Sequence, residues 1–200
     1  GLYGGQIVAQ ALMAAAHTVA EELPVHSLRA YFIRRGDHHE PVRYEVDRIR
    51  DGRSFATRRV VARQAVGAIL NLEASFQRDE QSANVETLAP PPDLPQPETL
   101  EQSSWSAAFE RAFVPSDRVS PSVERDGRGR ATAWLRTTEP IGDDRVMQAA
   151  ALAYMSDDLP TDAVVQAHPV RSEPDEILYK ALFTASLDHT IWFHRPLRAD

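Results

Sequence analysis

The chain has 200 residues, with 22 Lys and Arg against 29 Asp and Glu and a formal net charge of −7. That balance argues against a nucleic-acid binder, whose electrostatic footprint is basic. The absence of cysteine excludes disulfide frameworks, thiolate catalysis and Cys-based zinc sites. Hydrophobic content of 42% with 26% charged residues is that of a globular domain, and the length suits one large domain or two small ones sharing a core. No apolar run reaches the roughly 18 residues of a membrane span. The opening GLYGGQIVAQ lacks the basic start of a signal peptide, so a soluble, cytoplasmic protein is expected.

From Gln6 to Val19 the sequence QIVAQALMAAAHTV is apolar nearly all the way round and uncharged, which predicts a helix wrapped by other elements. Gly4 and Gly5 before it permit close backbone approach or a capping turn. His26 to Arg34 is extended and rich in aromatic and β-branched residues. Val42, Tyr44 and Val46 alternate with Arg43, Glu45 and Asp47, the period of a half-buried strand, and Asp51-Gly52 supplies a hairpin turn. Ser54 to Arg63 and Ala68 to Gln77 continue the meander, with Leu70, Leu72, Ala74 and Phe76 on one face. The first half therefore reads as a helix followed by four antiparallel strands.

Residues 81–104 carry Pro90, Pro91, Pro92, Pro95 and Pro97 among acidic and polar residues and read as a linker. Beyond it, Asp126-Gly127 marks a turn and Ala131 to Arg136 a strand. Asp143 is the expected N-cap of a second apolar helix reaching about Met155. A loop with Pro160, Pro169 and Pro174 then leads to a strand from Leu182 to His194.

The two halves repeat. HSLRAYFIRRGD (26–37) and ASLDHTIWFHRP (185–196) superpose with Tyr31-Phe32 on Trp192-Phe193, an offset of 192 − 31 = 161 residues. Each half is an apolar helix followed by an aromatic strand. One all-apolar helix wrapped by a curved antiparallel sheet is the hotdog arrangement. The expected fold class is α+β, a double hotdog: a hotdog at 1–80, the linker at 81–104 and a second, incomplete hotdog at 105–200.

Six phrases carry a resemblance across most of the chain: GGQIVAQAL (4–12), HSLRAYFIRRGD, YEVDRIRDGRSFATRRVVARQ (44–64), LEASFQ (72–77), LAYMSDDL (152–159) and ASLDHTIWFHRP. In that order they resemble the acyl-CoA thioesterase II family, double-hotdog enzymes that hydrolyse acyl-CoA to a fatty acid and coenzyme A. The resemblance implies a water held by an Asp, a Ser or Thr and a Gln. The Asp falls on Asp157 and the Ser on Ser186, with Met155 standing where the family has a small residue. The Gln belongs to a later strand, beyond Asp200. Acyl-CoA is the implied substrate, with no separate cofactor, and hotdog proteins usually associate, so a homo-oligomer is expected.

The chemistry suits those residue types. A thioester carbonyl is already electrophilic, so a water oriented by a carboxylate can attack it if donors stabilise the oxyanion. Asp157, at the end of an apolar helix, is a natural base; Ser186 can share the water, and a helix N-terminus offers free N–H groups. Position alone favours a solvated helix-end acid for Asp157, as for Asp158 beside it, and an ordinary strand serine for Ser186. The family phrases reverse that reading.

Other constellations are weaker. His38-His39 and the pair His189/His194 do not make a metal site, because strand residues five apart face opposite sides. No G-x-S-x-G elbow, P-loop or G-x-G-x-x-G is present. His26 reads as a packed or hydrogen-bonded core histidine. Arg48, Arg50, Arg53, Arg58, Arg59 and Arg63 surround one hairpin; coenzyme A phosphates and a solvated or subunit-facing edge explain them equally well. Two rivals remain: a hydratase or dehydratase using Asp188-His189 as a His-Asp pair, and a degenerate acyl-binding double hotdog. The first-half meander runs 77 − 31 = 46 residues past Tyr31, so an equal second half would reach about 192 + 46 = 238. The expectation is a longer protein whose later strands carry the Gln, these 200 residues alone being inactive or nearly so.

Overall fold

Helix α1 (Gly4–Ala16) carries no charged side chain, and its Ile7, Val8, Ala11, Leu12 and Ala15 are buried, as an apolar helix in a core requires. This computed structural model describes residues 1–83, 85–87, 91, 93–115, 118–119, 129–172, 177 and 180–200. The chain divides into two compact units, one from 1–81, 140–157 and 186–200, the other from 82–139 and 158–185.

In the first unit α1 lies against an antiparallel sheet. The four strands expected after it all form: β1 (Val25–Phe32), β2 (Arg43–Asp51), β3 (Phe55–Gln64) and β4 (Gly67–Gln77). A fifth, β8 (Asp188–Trp192), joins them in the order β2-β3-β4-β1-β8. Alternation sorts the strands into two faces. Leu28, Ala30, Val60, Leu70 and Leu72 point inward and form one core with α1; a fully buried Leu, Ile or Val contributes about 1.5–3 kcal/mol. A charged residue of β3 also sits inside. Arg58 is fully buried, donating to Thr18 Oγ1 (2.7 Å), to the Thr18 carbonyl (2.9 Å), to the Arg50 carbonyl and to Asp51. It thereby ties the end of α1 to the β2–β3 hairpin and leaves the surface arginine group. Arg59 pairs with Asp47 and Arg63 with Glu45 on the strands themselves.

Helix α2 (Arg145–Ser156) adds Ala149, Ala150 and Ala153 to the same core. Its N-cap is Asp144, whose Oδ1 accepts from Val146 N (2.8 Å) and Met147 N (3.3 Å); the expected cap Asp143 instead pairs with Arg198.

Strands β1 and β8, equivalent in the repeat, pair antiparallel. Ser27 faces Trp192, Arg29 faces Thr190 and Tyr31 faces Asp188. Adding the offset turns 27 into 188, 29 into 190 and 31 into 192, so each pair maps onto its own mirror. The pairing is isologous, with a local two-fold axis at Arg29/Thr190.

The second unit holds the antiparallel strands β5 (Gln102–Ser103), β6 (Phe109–Phe113) and β7 (Ala133–Thr137), with Leu100, Ala112 and Val114 as a small core. Helix α3 (Leu159–Ala167) and a 3-10 turn at Pro169–Ser172 form where a proline-containing loop was expected. Pro160 sits in the first turn of α3, where its missing N–H costs nothing. The end of the stretch read as a linker is also structured, by a 3-10 turn at Pro97–Thr99 and by β5. Strand β8 is shorter than the 182–194 expected. The Asp126-Gly127 turn lies outside the described residues, as do Pro90, Pro92 and Pro174.

Candidate active site

The C-terminal end of α2 places Asp157 at its cap position, immediately after the buried Met155 and the half-buried Ser156. The Asp157 side chain is 7% exposed. Ser186, two residues before β8, donates its Oγ hydrogen to Asp157 Oδ1 at 2.9 Å. The two residues taken from the sequence are therefore in direct contact, 29 positions apart in the chain.

A third side chain reaches the same oxygen. His189 projects from β8 to the inner face, opposite Ala30, and its Nδ1 lies 3.5 Å from Asp157 Oδ1. Its Nε2 contacts Ser156 Oγ at 3.1 Å. The neighbouring Asp188 points to the other face, exposed, with Arg29 at 3.8 Å. The Asp188-His189 pair expected for a hydratase does not form, because consecutive strand residues face opposite sides. The carboxylate that His189 approaches is that of Asp157, which sequence adjacency concealed.

The other oxygen, Asp157 Oδ2, faces the start of α1. A Cβ added to Gly4 would fall 2.6 Å from Oδ2 and 2.9 Å from the Phe32 ring, and one on Gly5 would fall 2.2 Å from the Tyr154 carbonyl. Only glycine allows the two helix ends to approach this closely. Tyr3 fixes the approach, donating its hydroxyl to the Tyr154 carbonyl at 2.9 Å, with the two rings edge to face. Among the described residues no side chain caps the start of α1, and the first N–H groups of a helix have no intrahelical partner.

Asp158 is not the solvated acid expected. Its side chain is also 7% exposed, accepting from Arg111 (2.6 Å) and from Trp105 Nε1 (2.6 Å) in the second unit. His26 is a core histidine bonded to Ser75 Oγ at 2.8 Å, and burial pushes its pKa down. Among the described residues, Asp37, His38 and His39 form a group with metal-capable donors, all exposed on the loop after β1.

Residues 1–77 match the acyl-CoA thioesterase N-terminal domain and residues 85–200 the acyl-CoA thioesterase C-terminal domain. The chain belongs to the acyl-CoA thioesterase family. Human acyl-coenzyme A thioesterase 8 is 37% identical over 223 aligned residues, covering 100% of this chain and 67% of that protein. The crystal structure of an acyl-CoA thioesterase II from Mycobacterium marinum aligns with a TM-score of 0.80 at 36% identity, over 100% of this chain and 73% of its own. A hot dog fold protein from Alicyclobacillus acidocaldarius aligns at 0.71 and 20% identity, over 98% and 69%, which shows the fold alone. Gly4 lies within the N-terminal match, and Asp157, Ser186 and His189 lie within the C-terminal one.

Proposed function

We propose that this protein hydrolyses acyl-CoA thioesters to a carboxylic acid and coenzyme A, with Asp157 as the base and Ser186 as its partner in holding the water. The observation that carries the reading is the Ser186–Asp157 hydrogen bond, set against the uncapped N-terminus of α1. Ser186 occupies Oδ1, which leaves Oδ2 to take a proton from water. The resulting hydroxide adds to the thioester carbon, and the α1 N–H groups receive the negative oxygen. Collapse of the tetrahedral intermediate breaks the C–S bond. The departing thiolate then takes up the proton held by Asp157. Because the carbonyl of a thioester is reactive enough for a positioned water, the scheme calls on no cofactor.

The same reading makes the fold a double hotdog, its repeats at 1–80 and 105–200 joined by 81–104. The antiparallel pairing of the repeat-equivalent strands β1 and β8 and the packing of two apolar helices in one core support it. Self-association into a homo-oligomer belongs to the proposal as well; β2 is an edge strand open for pairing, and sedimentation tests it. Among the described residues no helix is long and apolar enough to cross a membrane.

The approach of His189 to Asp157 favours a second reading, in which a His-Asp pair hydrates an enoyl thioester. One experiment separates the two. Incubation with a panel of saturated acyl-CoAs and one enoyl-CoA should release free thiol from the saturated substrates. Loss of the enoyl double bond without thiol release would select the hydratase, and no reaction with any substrate would select an acyl-binding protein.

A further inference from the structure

We propose that His189 is a positioning residue for Asp157, donating from Nδ1 to Oδ1 so that Oδ2 stays turned toward the start of α1. The proposal rests on the reading of Asp157 as base and adds a residue to it. An ordinary core histidine has both ring nitrogens bonded. Here Nδ1 is buried and, among the described residues, has no hydrogen-bond partner, while the side chain is 10% exposed. The atom it faces at 3.5 Å is the carboxylate oxygen that Ser186 already holds.

The proton position follows from the surroundings. With the proton on Nε2 alone, a nitrogen lone pair would face a carboxylate oxygen in a buried site, two acceptors opposed. With the proton on Nδ1, that nitrogen donates toward Oδ1 and Nε2 accepts from Ser156 Oγ at 3.1 Å. The second tautomer uses both nitrogens, with the Ser156 hydroxyl hydrogen turned to Nε2 at 3.1 Å in preference to the more distant Ala153 carbonyl at 3.4 Å. A closure of a few tenths of an ångström brings Nδ1 within bonding distance, the kind of tightening that substrate binding produces in an open site.

The repeat supplies an independent argument. Removing the offset from His189 gives 189 − 161 = 28, so its counterpart across the β1–β8 axis is Leu28, a core residue 2% exposed. The fold therefore accepts an apolar side chain at this position. A buried imidazole in its place is costly unless its polar atoms are used, and the unused one faces the base.

Three variants test this: His189→Leu installs the counterpart residue, His189→Asn keeps a donor near the Nδ1 position, and Asp157→Asn is the reference. For His189→Leu, kcat for acyl-CoA hydrolysis should fall roughly tenfold to a hundredfold, the loss expected for one hydrogen bond to a charged group. KM and the thermal midpoint should stay near wild type. His189→Asn should recover most of the lost kcat. A purely structural histidine predicts the reverse, with Leu at least as active as Asn; that ranking, or kcat of both variants at the wild-type level while Asp157→Asn is inactive, would overturn the inference alone. Full activity in Asp157→Asn would overturn the underlying reading instead.

Discussion

Two buried polar clusters lie at opposite ends of α2, and they differ in how completely they are bonded. At the N-terminal end Gln148, 3% exposed, donates from Nε2 to the Gly142 carbonyl (2.7 Å) and to Asp200 Oδ1 (3.2 Å). Its Oε1 accepts from Ala199 N at 2.6 Å. Both the amide donor and acceptor are in use. At the C-terminal end Ser186 holds one oxygen of Asp157, His189 stands off by 3.5 Å, and the other oxygen faces the start of α1 at Gly4. A closed polar network rigidifies a core, whereas an open one reserves bonding capacity for a ligand. On the proposed reading one helix carries a structural cluster and a reactive one, and bond satisfaction is what distinguishes them, since both are buried.

Substitutions at the two ends should separate activity from stability. Asp157→Asn keeps the shape and removes the base, so thioester hydrolysis should fall about 10²–10⁴-fold, with a thermal midpoint close to wild type in a melting experiment. Ser186→Ala should lower kcat roughly tenfold to a hundredfold, since it removes one bond to the carboxylate and leaves the base. Gln148→Leu should do the opposite: urea unfolding should show a loss of about 2–3 kcal/mol from the unpaired Gly142 carbonyl and Ala199 N–H, while kcat per folded molecule is unchanged. Equal losses of both properties at both ends would break the comparison.

The smallest effect concerns a third acid, the half-buried Asp162. Burial, reinforced by Asp158 and partly offset by Arg111, raises the pKa of Asp162 above its ordinary 3.8. The folded state then binds this proton more tightly than the unfolded chain, so ionised Asp162 costs stability above its folded pKa. Asp162→Asn should raise the melting midpoint slightly at neutral pH. That gain should fade as the pH falls through the folded pKa toward 3.8.

Much of the first unit was legible because its signals are periodic. Alternation in Val42–Val46 and Leu70–Phe76 marks strands, and the uncharged run from Gln6 marks a core helix. The aromatic repeat marked β1 and β8 as equivalent strands, but an offset of 161 residues is compatible with any antiparallel register, so which residues face each other is set by packing and not by the repeat. The second unit was harder to read. Strands β5 and β6 have two and five residues, too short for a period, and Pro160 reads as a breaker although it starts α3. In the site, Asp157 and Ser186 were chosen from family phrases alone. Nothing local distinguished Asp157 from Asp158, because burial of both is set by residues far along the chain. His189 was paired with Asp188 for the same reason: adjacency in sequence is opposition in a strand.

Chemical rescue tests the role of Asp157 most directly. Asp157→Gly removes the carboxylate at a helix C-terminus, where glycine is tolerated, and leaves a gap the size of a small carboxylic acid. Thiol release from acyl-CoA by this variant should be near background and should rise with added formate, but not with chloride at equal ionic strength. A folded Asp157→Gly protein that hydrolyses acyl-CoA at the wild-type rate, or one that formate leaves at background, would contradict the assignment of Asp157 as the base.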